Sequence, residues 1–143
     1  MTIEAGETSE AKPKLFVHEG LVEQGVDGWR LIGSRCTDCG ELRFPSARAC
    51  PACFAPAERL ARHALPQTGH VYTFSRVLRG SPPFGGSYVL AWVQLDGGPR
   101  VFCQLDCEFE AEVFGSPCEL VVGALWETED AVGVGYKFKV TQS

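Results

Sequence analysis

Cys36-Thr37-Asp38-Cys39-Gly40, followed across a ten-residue spacer by Cys50-Pro51-Ala52-Cys53, is the stretch that decides how this chain folds. It contains two CxxC knuckles, and a CxxC turn presents two sulfurs from one tight loop. Four such thiolates at about 2.3 Å make a tetrahedral site for a metal ion. Gly40, the first spacer residue, permits the left-handed backbone that such a turn often needs. The remaining spacer, Glu41 to Ala49, suits a small hairpin between the knuckles. Four cysteines fill the coordination sphere, whereas a catalytic zinc keeps a position open for water. The spacing therefore predicts one structural Zn(2+) ion on Cys36, Cys39, Cys50 and Cys53. The ion would fold a segment too small and too polar to fold by itself. An iron centre of the rubredoxin type fits the same ligand spacing.

A pair of disulfides is the competing use of these thiols. The chain begins without the basic start and apolar stretch of a secretory signal, so an oxidising compartment is not expected. The seven cysteines are accordingly read as thiols or metal ligands first. The longest apolar run, Tyr88 to Val93, is strand-sized and far below the roughly 18 residues of a membrane helix. A cytoplasmic protein without membrane partners is the expectation.

Outward from the knuckles, the chain divides by composition. Residues 1–13 are polar without an apolar period and are read as a disordered tail. In residues 14–28, Leu15, Phe16, Val22 and Val26 fit one helical face, which predicts a short helix that must dock on something. Trp29 to Gly33 reads as a strand leading into the first knuckle, within a ribbon of residues 29–64. Residues 65–143 are all-β, with strands expected at His70–Leu78, Tyr88–Leu95, Arg100–Leu105, Cys118–Glu127 and Val134–Val140. Gly/Pro-rich turns separate them, and Asp96-Gly97 between two apolar runs is a hairpin signal. Five short strands in this length suggest an OB-fold barrel. The expected fold is mainly β: a short N-terminal helix and a zinc ribbon followed by a five-stranded OB-fold barrel.

The net charge of −5 is uneven: −4 over residues 1–29, +3 over residues 30–64 and −4 over residues 65–143. Nucleic-acid affinity comes mainly from phosphate neutralisation, so the overall acidity argues against a nucleic-acid partner. Tyr72, Phe74 and Trp92 offer stacking surfaces, but alternating aromatics on barrel strands more often form core.

Catalytic signals are sparse. Cys103, Cys107 and Cys118 lack CxxC spacing and read as small buried apolar residues. His18, His63 and His70 have no constellation around them, and no nucleophile elbow, phosphate loop or paired carboxylates occur. The loop Leu78–Ser87 is Gly/Pro-rich, with Phe84 near its tip, Arg79 at its start and Arg76 just before it. Such guanidinium groups suit the phosphates of CoA, so Arg76, Arg79 and Phe84 are the candidate CoA contacts. A plain solvent loop is the other reading.

The order of features resembles the DUF35 family, whose members join a rubredoxin-like zinc ribbon to a C-terminal OB barrel. The resemblance rests on the two knuckles with Phe44-Pro45 between them, on Gly69-His70-Val71-Tyr72-Thr73-Phe74-Ser75, and on Tyr88 to Gly97. It continues through Gly115 to Val121 and Tyr136-Lys137-Phe138, covering residues 15 to 140. It departs where the family often has a second proline, because Ser46 follows Pro45. The resemblance implies a noncatalytic accessory subunit paired in a hetero-oligomer with a thiolase-superfamily enzyme, a thiolase, synthase or lipid-transfer-protein-like aldolase. That partner would carry the catalytic residues and share its CoA thioester with this subunit, in a β-oxidation-like pathway such as aromatic or steroid side-chain degradation. The alternative is an independent OB module binding acyl-CoA or nucleic acid. Apolar residues of the docking segment, with Leu42, Phe44 and Phe54 of the ribbon, are expected to leave surface for a partner to cover.

Overall fold

The computed structural model describes residues 12–17 and 20–141. Ten strands follow in order: β1 (Lys14–Phe16), β2 (Val22–Gly25), β3 (Gly28–Cys36), β4 (Leu42–Arg43), β5 (Leu60–Ala64), β6 (Thr68–Val77), β7 (Tyr88–Leu95), β8 (Arg100–Asp106), β9 (Pro117–Glu127) and β10 (Val132–Val140). A 3-10 turn, Ala57–Arg59, precedes β5.

The barrel strands carry the period-2 pattern that closes a sheet around one core. On β7, Val89, Ala91, Val93 and Leu95 point inward; on β8, Val101, Cys103 and Leu105 do so. The antiparallel register puts Val89 opposite Leu105, Ala91 opposite Cys103 and Val93 opposite Val101. The sheet runs β9-β6-β7-β8-β10 and closes through the β9–β10 pair. Pairing is antiparallel except between β8 and β10, which run parallel. This is the OB connectivity. Fully buried Phe138 fills its centre.

The ribbon is built on β3, which pairs antiparallel with β2, β4 and β5. Gly33 is required there because a Cβ would run into the Arg43 carbonyl oxygen of β4. The ribbon and barrel share one core. Leu31 of β3 and Leu65, just past β5, are both 0% exposed within the barrel's hydrophobic cluster. The Leu65 N–H donates to the Leu31 carbonyl at 2.9 Å.

The helix expected over residues 14–28 is not formed. Lys14–Phe16 instead adds a parallel strand beside Val132–Val134 of β10, and Val22–Gly25 folds back on Gly28–Leu31 as a hairpin. The apolar spacing fits a helix, but Gly20 and Gly28 adopt positive φ (+85° and +100°), which ends helical backbone. The two strand partners supply the hydrogen bonds a lone helix would have made internally. The tail expected over 1–13 lies outside the described residues up to residue 11, as does His18.

Leu31→Ala should cost about 2–5 kcal/mol, because it opens a cavity at the seam of ribbon and barrel. Chemical denaturation should still show one transition, with tryptophan fluorescence and far-UV dichroism coincident, since the two modules share that core.

Candidate metal centre and barrel face

Each knuckle is a short loop closed by the same two backbone hydrogen bonds. In the first, the Cys36 N–H donates to the Glu41 carbonyl at 2.9 Å and the Gly40 N–H to the Cys36 carbonyl at 2.8 Å. In the second, the Cys50 N–H donates to Ala55 at 2.9 Å and the Phe54 N–H to Cys50 at 2.7 Å. The residue after the second cysteine is left-handed in both, Gly40 at φ +82° and Phe54 at φ +66°. Strands β3 and β4 flank the first knuckle, and an Ala49–Pro56 bridge flanks the second. The first is also tied to the 3-10 turn: the N–H and Oγ1 of Thr37 both donate to the Arg59 carbonyl, at 2.8 and 2.9 Å.

This geometry brings the four predicted cysteines together, with their sulfurs all within 4.8 Å of one another. Cys36 and Cys53 Sγ lie 3.7 Å apart, Cys39 and Cys50 Sγ 3.6 Å. A tetrahedron with metal–sulfur bonds of about 2.3 Å has corners about 3.8 Å apart. A disulfide needs about 2.05 Å. The arrangement fits a four-thiolate metal ion and not two disulfides. Cys36 and Cys50 are buried against Ala55 and Leu60, while Cys39 and Cys53 face solvent. The Cys53 and Ala52 amides point at Cys50 Sγ and, with the neighbouring thiols, bring it down to about 7 against the effect of burial. The Ala55 amide lowers Cys53 too, but burial and hydrogen bonds with Cys39, Cys36 and Cys50 outweigh it and push that thiol up to about 12.

The other three cysteines stand apart from this cluster. Burial, and then the neighbouring Cys118, push Cys103 up to about 12. Burial and Asp96 do the same to Cys118. Burial and Asp106 raise Cys107, partly offset by Arg76. All three stay thiols near neutrality, and a thiol is a poor nucleophile.

The candidate CoA contacts are dispersed. Arg76 donates to the Phe109 and Ala111 carbonyls at 2.6 and 2.7 Å and lies 5.1 Å over the Phe74 ring, so its guanidinium holds the segment between β8 and β9. Arg79 stands exposed in the β6–β7 loop, which the Gly80 N–H closes onto the Gly86 carbonyl at 3.0 Å. Phe84 packs on Tyr88 with ring centroids 5.8 Å apart.

Two aromatics expected in the core are on the outside. Tyr72 and Trp92 are each 44% exposed, and Phe102 beside Trp92 is 47% exposed. A bulge at Tyr72–Thr73, opposite Trp92, turns both bulge residues outward. Of the ribbon residues expected at the surface, Phe44 instead packs edge-on against Tyr136 at 5.5 Å, and Leu42 is half-buried. Phe54 is 83% exposed.

Two family models match in the same order as the structural modules: the ChsH2 rubredoxin-like zinc ribbon domain over residues 30–59, and the ChsH2 C-terminal OB-fold domain over residues 62–123. The benzoylsuccinyl-CoA thiolase subunit BbsA of Thauera aromatica is 32% identical over 134 residues, covering 91% of this chain and 92% of that protein. A DUF35 domain-containing scaffold protein of Methanocaldococcus jannaschii is 37% identical over 126 residues, covering 80% and 89%. Among solved structures, the Ltp2-ChsH2(DUF35) aldolase superposes with a TM-score of 0.58 at 26% identity, covering 79% of this chain and 86% of that one. With its knuckled ribbon continuous with an OB barrel, and with relatives matched over nearly their full length, the chain belongs to the DUF35 family.

Proposed function

We propose that this chain is a noncatalytic, zinc-containing accessory subunit of a CoA-thioester carbon–carbon bond enzyme, a thiolase or lipid-transfer-protein-like aldolase. It would serve a β-oxidation-like degradation pathway, with aromatic compounds the class suggested by the thiolase-subunit relatives. The observation that carries this reading is the likeness to BbsA across 91% of this chain and 92% of that subunit. In the hetero-oligomer the partner supplies the nucleophile and the acid/base groups. Cys36, Cys39, Cys50 and Cys53 hold one structural zinc that sets the shape of the ribbon. Arg79 and Phe84 face the CoA thioester from the β6–β7 loop, while Arg76, just before that loop, holds the segment between β8 and β9.

The second knuckle supports docking through the ribbon. Residues 49–57 contain no Asp, Glu, Lys or Arg, and Phe54 stands 83% exposed at the tip. Phe54 also holds a left-handed backbone, which costs a non-glycine residue about 1–2 kcal/mol. The first knuckle places glycine at the same position. A strained and exposed aromatic side chain is costly to an isolated subunit and useful as a preformed anchor in a partner's apolar pocket.

Elemental analysis of protein purified without chelator should find one zinc per chain, lost in Cys36→Ser or Cys53→Ser together with much of the solubility. Protons compete with the ion for the thiolates, so zinc-linked stability should be full at alkaline pH and fall away as pH drops below neutral; thermal melts across pH read this directly.

Co-expression with the enzyme encoded beside it should give one co-eluting complex with thiolysis or retro-aldol activity. A well-behaved monomer that neither binds that enzyme nor alters its activity would sink the proposal. Phe54→Gly should keep zinc and melt no lower than the parent, yet weaken that association by about 2 kcal/mol, or roughly thirtyfold.

A further inference from the structure

The outer face of β6, β7 and β8 carries groups that neither the fold nor the metal centre uses. Tyr72, Trp92 and Phe102 form an exposed aromatic stripe across the three strands, with Trp92 and Phe102 ring centroids 5.2 Å apart. Arg100 lies on the same face with its guanidinium carbon 3.8 Å from the Tyr72 ring centroid. Its Nε donates to Gln94 Oε1 at 3.1 Å, and Gln94 is fixed in turn because its Nε2 donates to the Leu95 and Gly98 carbonyls at 3.1 and 2.8 Å. The guanidinium is thus pinned through Nε while both terminal nitrogens lack a hydrogen-bond partner among the described residues. Arg30, Arg59 and Arg62, by contrast, are each paired with a carboxylate.

Arg100 and Trp92 form one wall of a groove of about 600 Å³ between barrel and ribbon; Arg43 and Phe44 line the other side. Arg43 has no carboxylate partner among the described residues either. Two guanidinium groups, Arg43 and Arg100, stand against one carboxylate, Glu41, in the lining; Cys39, whose thiolate a bound cation would share, lines it too. The volume lies within the range of small-molecule sites, about 300–1,000 Å³. A preset guanidinium fork recognises phosphate oxygens, and an exposed indole stacks on a base. On an OB barrel, the face of the second and third strands is where ligands bind, and here those strands are β7 and β8.

The geometry points to a binding site for a purine nucleotide diphosphate, with the base stacked on Trp92 and the phosphates held by Arg100 and Arg43. Next along the same face, Phe84, Leu90, Phe102 and Leu125 line an apolar hollow of about 210 Å³. A nucleotide whose diphosphate continues into a less polar chain, as in a CoA ester, spans both. The choice of CoA ester over a free nucleotide rests on the function proposed above; the nucleotide site itself rests on the groove. A nucleic-acid strand would need a basic track, which the net charge of −4 over residues 65–143 disfavours along the barrel.

Calorimetric titration of the full-length, zinc-loaded chain with ADP, CoA and a ten-residue oligothymidylate separates these sources. Saturable binding of ADP and CoA is expected, with CoA tighter. Trp92→Ala and Arg100→Gln should each lower affinity about tenfold or more, while Trp92→Phe keeps most of it. All of these side chains face outward, so melting temperature and zinc content should stay at parental values and show that each variant is folded. CoA no tighter than ADP would remove the hollow from the site. The proposal is overturned if neither nucleotide binds, if Trp92→Ala and Arg100→Gln bind as the parent does, or if the oligonucleotide binds more tightly than ADP. The titration needs no partner enzyme, so failure here leaves the accessory-subunit reading standing, and failure of co-elution leaves this site standing.

Discussion

Four sulfur atoms from two separate loops must sit at the corners of one tetrahedron, and the ribbon half of the protein is arranged to meet that constraint. Its own apolar interior is small: Cys36, Cys50 and Ala55 are buried there, with Leu60 packed against them. Burial on that scale cannot offset the entropy of ordering some thirty residues. Each knuckle therefore repeats one backbone solution, with its first cysteine bonded in both directions across the loop and a left-handed residue after the second. The sulfur spacing of 3.6 and 3.7 Å follows from that repetition. Thiolates held this close repel one another unless a cation lies between them, so the loop geometry and a metal ion require each other.

The ribbon is not an appendage. Strand β3 passes through the barrel core at Leu31 and ends at Cys36 of the four-cysteine cluster, so one continuous strand fixes that cluster relative to the barrel. Phe44, between the knuckles, packs on Tyr136 of β10 and reinforces that seam. A rigid seam matters for the groove beside it, where Arg43 comes from the ribbon and Arg100 from the barrel. Two positively charged groups on separate modules hold one anion well only when their separation is fixed.

The molecule separates its apolar groups into two uses. Inward positions of β7 and β8 are aliphatic or small and close the barrel. Outward positions carry aromatics, and the ribbon tip carries Phe54. Exposed aromatic groups of this kind mark surfaces meant for something else to cover. The tip and the barrel face differ in chemistry, the first without Asp, Glu, Lys or Arg over residues 49–57 and the second carrying Arg100, which suits a protein surface and an anionic ligand respectively.

What the sequence determined by itself was whatever depends on local spacing. The knuckles named the four cysteines that come together because CxxC chemistry is local, and the β7 strand Tyr88–Leu95 was legible to the residue because alternation and flanking Gly/Pro turns are local too. The tertiary structure decided what depends on partners distant in the chain. Leu15, Phe16, Val22 and Val26 have helical spacing, yet residues 14–16 became a strand because the open edge of β10 lies more than a hundred positions away. Tyr72 and Trp92 alternate as core aromatics would, and only closure of the barrel, with the bulge at Tyr72–Thr73, set which face was outside. Likewise Arg76 reads as a free cation until the chain folds and gives it the carbonyls of Phe109 and Ala111. Alternation states that two faces differ; which of them meets water is fixed only when the sheet closes on itself.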